Sequence, residues 1–366
     1  MRVAVLGAGG TVGPALVRDL AESAEVETIQ ALDLRRERAN AVAAEHGAGK
    51  ATAGTVDARD PQALTLALDG VDVLVNAAAY RTNLLAMDAA LAARCAYVDL
   101  GGLYHVTLRQ LQREVDFEEA GLVAVLGAGA APGKTNVMAA RAAAGLEEVL
   151  AIRCASAGLD EQPPEGLSTP YALRTLLDEV TLPPVVFEHG ETLDLDPLAD
   201  GGVVGFPAPI GERSCIVTLH SEVATLPISL GAGSCSFRLG LERRVLDRLR
   251  ELAAADPAQL PVPAPPSSRT WSAQRVDVLG RRDGERVAVT TTAVTPPHDA
   301  WGLGGGVVST ASVAAAAVRL LARGRLPLTG VHPPERALPA DELLAELERV
   351  GTRFATTTSD SEVSTT

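Results

Sequence analysis

The chain has 366 residues, 47% apolar and 21% charged, with a formal charge of −14. That length exceeds what one hydrophobic core usually holds and calls for two domains, while the composition excludes a disordered or fibrous chain. The acidic balance leaves no general attraction for a phosphate backbone, so nucleic acid is not an expected partner.

Aromatic residues make up only 3%, so the core must be aliphatic. Four scattered cysteines, Cys95, Cys154, Cys215 and Cys235, form neither a C-x-x-C pair nor a cluster with histidines; they read as buried thiols in a reducing compartment, with no metal site. The sequence lacks a basic start followed by an apolar stretch and a cleavage site, and lacks apolar runs of about twenty residues. The expectation is a cytoplasmic protein without a membrane partner.

Short β-branched runs alternate with alanine- and leucine-rich stretches through the first third, the pattern of parallel strands joined by helical crossovers. Strands are predicted at Arg2 to Leu6, Glu27 to Asp33, Ala51 to Val56, Val71 to Asn76, Ala96 to Asp99 and Leu122 to Leu126. Helices fit between them at Val12 to Ala24, Arg36 to His46, Pro61 to Leu68, Asn83 to Ala93 and Leu108 to Ala120. The strands are apolar on consecutive positions, as a doubly wound sheet covered on both faces requires. After about residue 146 the texture changes: β-type runs at Leu150 to Ser156, Ser214 to Leu219, Ser234 to Leu239, Trp271 to Gly280 and Arg286 to Val294 follow one another, and "GRRDGERV" reads as a hairpin turn. This predicts a second α+β domain on a mixed or antiparallel sheet. A long helix is expected from Ser309 to Arg323 and an amphipathic one from Pro339 to Val350, and the tail "ATTTSDSEVSTT" lacks an apolar period and is expected to be disordered.

The segment "VAVLGAGGTVGPALVRDL" places Gly7, Gly9 and Gly13 directly after a strand and directly before a helix. Gly7 permits a tight turn, Gly9 lets a pyrophosphate approach the backbone, and the N–H groups from Gly10 through Thr11 and Val12 to Gly13 face the phosphates with the helix dipole behind them. This is the dinucleotide fingerprint of a Rossmann domain. Asp33 lies twenty residues after Gly13, where a carboxylate bonds the ribose 2′-OH and repels a 2′-phosphate, which favours NAD; Arg35 and Arg36 follow at once and keep NADP open. Asp57, after the third strand, is placed for the adenine region or a strand-end turn, and Asn76, Ala77, Ala78 and Ala79 offer small residues where the nicotinamide ribose needs close approach.

Three stretches carry a wider pattern: "VDVLVNAAAYRTNLLAMDAALAARCAYVDLGGLYHV", the loop "GAGAAPGKTNVMAARAA" and "GVVSTASVAAAAVRLLARGRLPLTGVHPPE". Together they resemble the saccharopine dehydrogenase superfamily, most closely its lysine 6-dehydrogenase branch, because the glycine-proline loop reads "AAPGKTN" without the acidic residue of the fungal saccharopine reductases. The resemblance covers roughly the first 145 and last 60 residues, with "SEVATLP" between them. It implies an NAD- or NADP-dependent oxidoreductase moving a hydride at a C–N bond of a small amine or amino acid, and a homodimer formed through the middle domain. The implied division is 1–146 for the Rossmann domain, 147–305 for the substrate and dimerisation domain, 306–352 for helices returning to the first domain, and 353–366 for the tail. A reductase or NAD-using synthase of another metabolite, and a non-catalytic dinucleotide sensor, stay open because fold does not fix function.

Oxidising an amine requires orientation and a general base near neutrality. Tyr104 and His105, beyond the fifth strand at the carboxyl edge where ligands of open α/β sheets gather, are the first candidates, with Lys134 as a third. Asp99 could orient either neighbour or cap the turn. Lys134 with the N–H groups of Gly133 and Thr135 could bind a carboxylate, and Thr135 and Asn136 could cap the helix or touch substrate. Tyr80 and Arg81 after the fourth strand and His220 in "TLHSEVATLP" complete the substrate candidates. No hydrolase elbow or zinc-binding helix motif is present.

Overall fold

Strands buried on both faces cannot be satisfied by a single packing partner, and a computed structural model of the chain shows how each face is covered. It describes residues 1–169, 171–253, 260–261, 263–326 and 329–360. The first half is β1 (Arg2–Leu6), α1 (Gly13–Ala21), β2 (Thr28–Asp33), α2 (Arg36–His46), β3 (Ala51–Thr55), α3 (Pro61–Ala67), β4 (Val73–Asn76), α4 (Asn83–Ala93), β5 (Ala96–Asp99), α5 (Tyr104–Leu111), α6 (Glu114–Ala120), β6 (Val123–Val125) and α7 (Lys134–Ala143). The single helix expected at Leu108 to Ala120 is thus two, and the first starts already at Tyr104.

The second half runs β7 (Glu148–Asp160), α8 (Leu173–Thr181), β8 (Val185–Glu188), β9 (Glu191–Asp194), β10 (Asp200–Gly205), β11 (Glu212–Val217), α9 (Glu222–Leu230), β12 (Ser234–Gly240), α10 (Arg243–Ala253), β13 (Thr270–Arg282), β14 (Glu285–Thr295), α11 (Gly305–Ala322), β15 (Gly330–His332), α12 (Pro334–Ala337), α13 (Ala340–Arg349) and β16 (Arg353–Asp360).

One sheet has the order β15-β6-β5-β4-β1-β2-β3, parallel throughout. The other has the order β10-β11-β12-β7-β13-β14-β16, with β8 and β9 off β12, and is antiparallel except for β12 beside β7. The fold is therefore α/β, a doubly wound Rossmann sheet followed by a mixed sheet. Beyond the hairpin, the expected returning segment does more than pack: β15 adds the seventh strand beside β6.

Two helices lie between the sheets. α7 packs on β13 and β14, and α11 packs on α1, β5 and β13. Ala311, Ala314, Ala315, Ala316 and Ala317 of α11 are fully buried, small enough to let α1 and the sheet approach. By length and composition α11 could cross a bilayer, contrary to the expectation that no such run exists, but it is mostly buried inside the protein.

The tail is corrected in part. Residues 353–360 form β16, paired residue for residue with β14 from Val294↔Arg353 to Val287↔Asp360. Its lack of apolar periodicity reflects an edge position exposed along most of its length, where backbone pairing and the threonine run carry the strand. Residues 361–366 lie outside the described part.

Charge also ties α11 to its neighbours. Arg319, 2% exposed, donates to Asp19 Oδ1 of α1 at 2.8 Å, to Ser23 Oγ at 3.0 Å and to Glu346 of α13 at 2.7 Å, and Arg349 adds a 2.6 Å bond to the same Asp19 oxygen. Removing one partner of a buried pair leaves the other charge uncompensated, which costs about 3 kcal/mol or more. Arg319→Met is expected to lose roughly that amount in urea denaturation, whereas a substitution of exposed Arg36 stays within about 0.5 kcal/mol.

Candidate active site

The turn after β1 is closed by Gly7 and Ala8, whose N–H groups donate to Leu32 O at 2.8 and 3.0 Å, and by Gly10 N–H to Gly7 O at 2.9 Å. Gly7 has φ +79°, and a Cβ there would stand 2.7 Å from Ala78 N, so the alanines after β4 close on the turn because it is bare. A Cβ on Gly9 would lie 2.5 Å from Arg38 Cβ and 3.0 Å from Asp33 Oδ2, and one on Gly13 would lie 1.9 Å from Ala8 O. Among the described residues no acceptor takes the N–H groups of Thr11, Val12 and Gly13 at the mouth of α1. Unpaired donors on a side-chain-free surface at a helix start fit a pyrophosphate.

Asp33 closes β2 beside this turn, accepting Gly9 N–H at 3.0 Å and Arg35 N–H at 2.9 Å. Arg35 is exposed, and so is Arg38, which stands over Gly9 and was not among the sequence candidates. Asp57 is taken up by Arg59, at 3.0 and 2.8 Å, and that guanidinium holds its carboxyl down to about 2. Asn76 is buried below Ala77 and Ala78, donating to Asn83 Oδ1 at 3.0 Å and accepting Ala78 N–H at 3.1 Å, so it supports the wall from beneath.

Asp99 is fully buried and accepts five hydrogen bonds: Gly101 N–H and Gly127 N–H on one oxygen at 2.9 and 2.7 Å, and Asn83, Tyr97 and Gln110 on the other at 3.2, 3.0 and 2.6 Å. It clamps the loops after β5 and β6 and has no face toward a ligand. Tyr104 and His105 open α5, Tyr104 packed against the second domain's core and His105 exposed. Tyr80 Oη donates to Asp178 of α8 at 2.9 Å, and Arg81 adds a bond of 2.7 Å. The structure thus places Tyr80 and Arg81 in a bridge between domains. None of these four lines the cavity described next.

Three consecutive polar residues begin α7, all buried. Gly133 has φ +119°, and its N–H donates to Asn136 Oδ1 at 2.9 Å. Lys134 Nζ donates to Ser309 Oγ at 2.7 Å and more loosely to Thr295 Oγ1 at 3.4 Å; no carboxylate is among these partners, and burial brings its ammonium down to about 7. Thr135 Oγ1 donates to Glu222 Oε1 at 2.7 Å, and Asn136 Nδ2 donates to Glu335 at 2.9 Å and Thr225 at 3.2 Å. None of the three lines the cavity described next; Asn136 borders a separate hollow of about 10 Å³ with Ser221 and Thr225.

The cavity, of about 190 Å³, lies between the sheets. Ala130 and Ala131 of the loop after β6 and Gly306, Val307 and Thr310 of α11 form one side. Ser156, Trp271, Ser272 and Gln274 of the second sheet, with Tyr171, Glu179 and His220, form the other. Of the sequence candidates, His220 alone lines it. Its ring stacks on Phe237 with centroids 3.6 Å apart and planes 10° from parallel. Nδ1 meets Glu222 Oε2, and Nε2 lies 3.5 Å from Glu179 Oε1. Glu179 also takes Thr218 Oγ1 at 3.2 Å and the Tyr171 hydroxyl. Burial pulls the His220 ring down, but the carboxylates of Glu222 and Glu179 outweigh it and hold the ring above the ordinary histidine value. Burial likewise pushes Glu179 up. Glu179 and Tyr171 escaped the sequence reading because they lie 41 and 49 residues upstream of His220 in a segment without a motif.

The saccharopine dehydrogenase NADP binding domain matches residues 3–125, which is β1 through β6. Carboxyaminopropylagmatine dehydrogenase from Synechocystis sp. is 28% identical over 236 residues, covering 62% of this chain and 58% of that relative's length. Apo saccharopine dehydrogenase (L-Glu forming) from Saccharomyces cerevisiae superposes with a TM-score of 0.75 over 98% of this chain and 99% of that one, at 14% identity, and so shares the fold. The first domain thus matches a saccharopine dehydrogenase NADP binding domain, and the whole chain shares the fold of a saccharopine dehydrogenase. The bare turn, the free N–H groups and the domain match together assign the saccharopine dehydrogenase-like first domain to a nicotinamide dinucleotide, NAD or NADP.

Two outcomes follow. Gly9→Val places its side chain against Arg38 and Asp33, so dinucleotide affinity measured by calorimetry is expected to fall by at least about tenfold, or about 1.4 kcal/mol, and the unfolding midpoint to fall with it because those neighbours must shift. Lys134 is less protonated folded than unfolded between about pH 7 and the ordinary lysine range, so its contribution makes stability rise with pH across that window, by up to about 1.4 kcal/mol per unit, and level off below it. Lys134→Met is expected to remove this slope from urea denaturation at paired pH values; an unchanged slope would show the lysine to be solvated.

Proposed function

We propose that the chain is an NAD-preferring dehydrogenase that oxidises a carbon bonded to nitrogen in a small amine or amino-acid derivative, in the manner of a lysine 6-dehydrogenase. The observation that carries the reading is the cavity walled by the loop after β6 on one side and by His220 and Glu179 on the other. Ligands of open α/β sheets gather at the carboxyl ends of the strands, where Ala130 and Ala131 stand. Carboxylates outnumber cations in the lining: Asp160, Glu179 and Glu242 face Arg244, which is tied to Glu242 at 2.7 Å. That balance suits a substrate carrying an ammonium group better than a multiply anionic one. The name of the Synechocystis relative also describes an amine-bearing substrate.

Gly7, Gly9 and the N–H groups of Thr11 to Gly13 would hold the pyrophosphate, and Asp33 the adenosine ribose. When bound, the dinucleotide supplies the hydride acceptor. The protein orients the amine in the cavity, and its apolar side, Val307, Phe237 and Ala157, limits water. NAD preference rests on Asp33, whose negative charge next to Gly9 opposes a 2′-phosphate. A cytoplasmic homodimer is part of the same proposal, by family resemblance; a monomer mass in light scattering would remove the dimer.

The test is formation of reduced nicotinamide with lysine, ornithine, diamines and N-carboxyalkyl polyamines, each with NAD and NADP at alkaline pH. Turnover with lysine and NAD supports the full reading, whereas binding of the dinucleotide with no turnover on any amine overturns it. Asp33→Ser is expected to raise KM for NAD about tenfold and to narrow the NAD over NADP preference.

A further inference from the structure

We propose that His220 is the catalytic base that takes the proton of the substrate nitrogen, and that Glu222 is its positioning residue, fixed from the dinucleotide domain by Thr135. The assignment rests on the dehydrogenase reading and names the residue that does its proton chemistry.

Geometry singles out the ring. His220 is 7% exposed yet lines the cavity, stacked flat on Phe237 of β12. Glu222, 0% exposed, takes Nδ1 with one carboxylate oxygen and Thr135 Oγ1 with the other, at 2.7 Å. A carboxylate on Nδ1 fixes the tautomer and leaves Nε2 as the proton-exchanging nitrogen. Among the described residues Nε2 has Glu179 Oε1 as its one polar neighbour, at 3.5 Å, long for a hydrogen bond, so it is not consumed by a structural partner. Glu179 is anchored by Thr218 and Tyr171 and stands where it can stabilise either the protonated ring or a substrate ammonium.

The proton balance is simple. The substrate enters as an ammonium and gives its nitrogen proton to Nε2 of the neutral ring, which frees the lone pair. The electron pair of the adjacent C–H bond leaves as hydride to the oxidised nicotinamide, and a C=N bond forms on the substrate. Water adds to that carbon and the C–N bond breaks, giving a carbonyl compound and a protonated amine. One proton is released per turnover, the one that passes through His220 to solvent. No Tyr104, His105 or Lys134 atom lines the cavity where this occurs.

The groups facing the ring are Glu222 of α9, Glu179 of α8 and Tyr171 before it, while Phe237 of β12 and Thr135 of α7 bring no charge. With two carboxylates beside it the ring deprotonates above the ordinary histidine range, so oxidation should switch on toward alkaline pH and off below it.

The experiment is a pH profile of kcat with amine and NAD, paired with nuclear magnetic resonance titration of ring-labelled histidines. His220→Asn is expected to lower kcat by about a hundredfold or more, to abolish the acid limb and to leave dinucleotide affinity unchanged. Glu222→Gln is expected to move both the acid limb and the ring titration to lower pH, and Thr135→Val to move them the same way by less. A purely structural role would move the ring titration but leave the acid limb of kcat where it was. Retention of the acid limb in His220→Asn, or a ring that titrates below the ordinary histidine value, overturns the assignment. If no amine turns over with wild-type protein, the dehydrogenase reading falls and the base assignment with it, whereas turnover in wild-type protein with the acid limb retained in His220→Asn overturns the base assignment alone.

Discussion

Three adjacent side chains at the start of α7 hold the two halves of the molecule in register. Lys134 reaches β14 and α11, Thr135 reaches α9, and Asn136 reaches α9 and α12, each by a buried hydrogen bond. Buried polar groups are costly unless matched, so these bonds tolerate few relative positions of their partners. They act as a key cut for one lock. Because the same helix begins where the loop after β6 ends, the cavity wall and the cross-domain contacts are set by one segment.

A second constraint sits one strand away. Asp99 collects five donors from β5, α4, α5 and two loops, and the loops that wall the cavity diverge from this carboxylate. Burial alone pushes its carboxyl upward, and the donors work against that. The carboxyl edge of the parallel sheet is therefore organised by polar satisfaction, while the interior, dominated by Val, Leu and Ala, is organised by packing.

Most of the first domain was legible because its signals are local. A parallel strand covered on both faces is written as a continuous apolar run, and a phosphate turn as glycines at fixed spacing before a helix. The large β-runs of the second sheet were legible for the same reason. What escaped were features defined by a distant partner. β15 has three residues and no pattern of its own, and exists because β6 offers an edge. β16 was taken for disorder because an exposed strand needs no apolar face. At the site, the sequence found the right edge of the sheet but not which way side chains turn there. Helix α5 starts one turn earlier than expected and carries Tyr104 and His105 away from the cavity. His220 was visible as a residue, but Glu179 joins it only because the end of α8 lies beside the segment after β11, where its carbonyl accepts Leu219 N–H.

The seventh strand has a consequence for how this protein is made. The open edge of β6 is completed by residues 330–332, some two hundred residues further along the chain, after every strand of the second sheet except β16 has been laid down. A ribosome therefore releases all of the mixed sheet but its last strand, β16, before the nucleotide-binding sheet can close, and until then β6 presents an unpaired strand edge. The two halves are topologically interleaved rather than strung in series. Cutting at residue 146 would not yield a free-standing module but a sheet short of one strand and of the α11 cover that α1 needs.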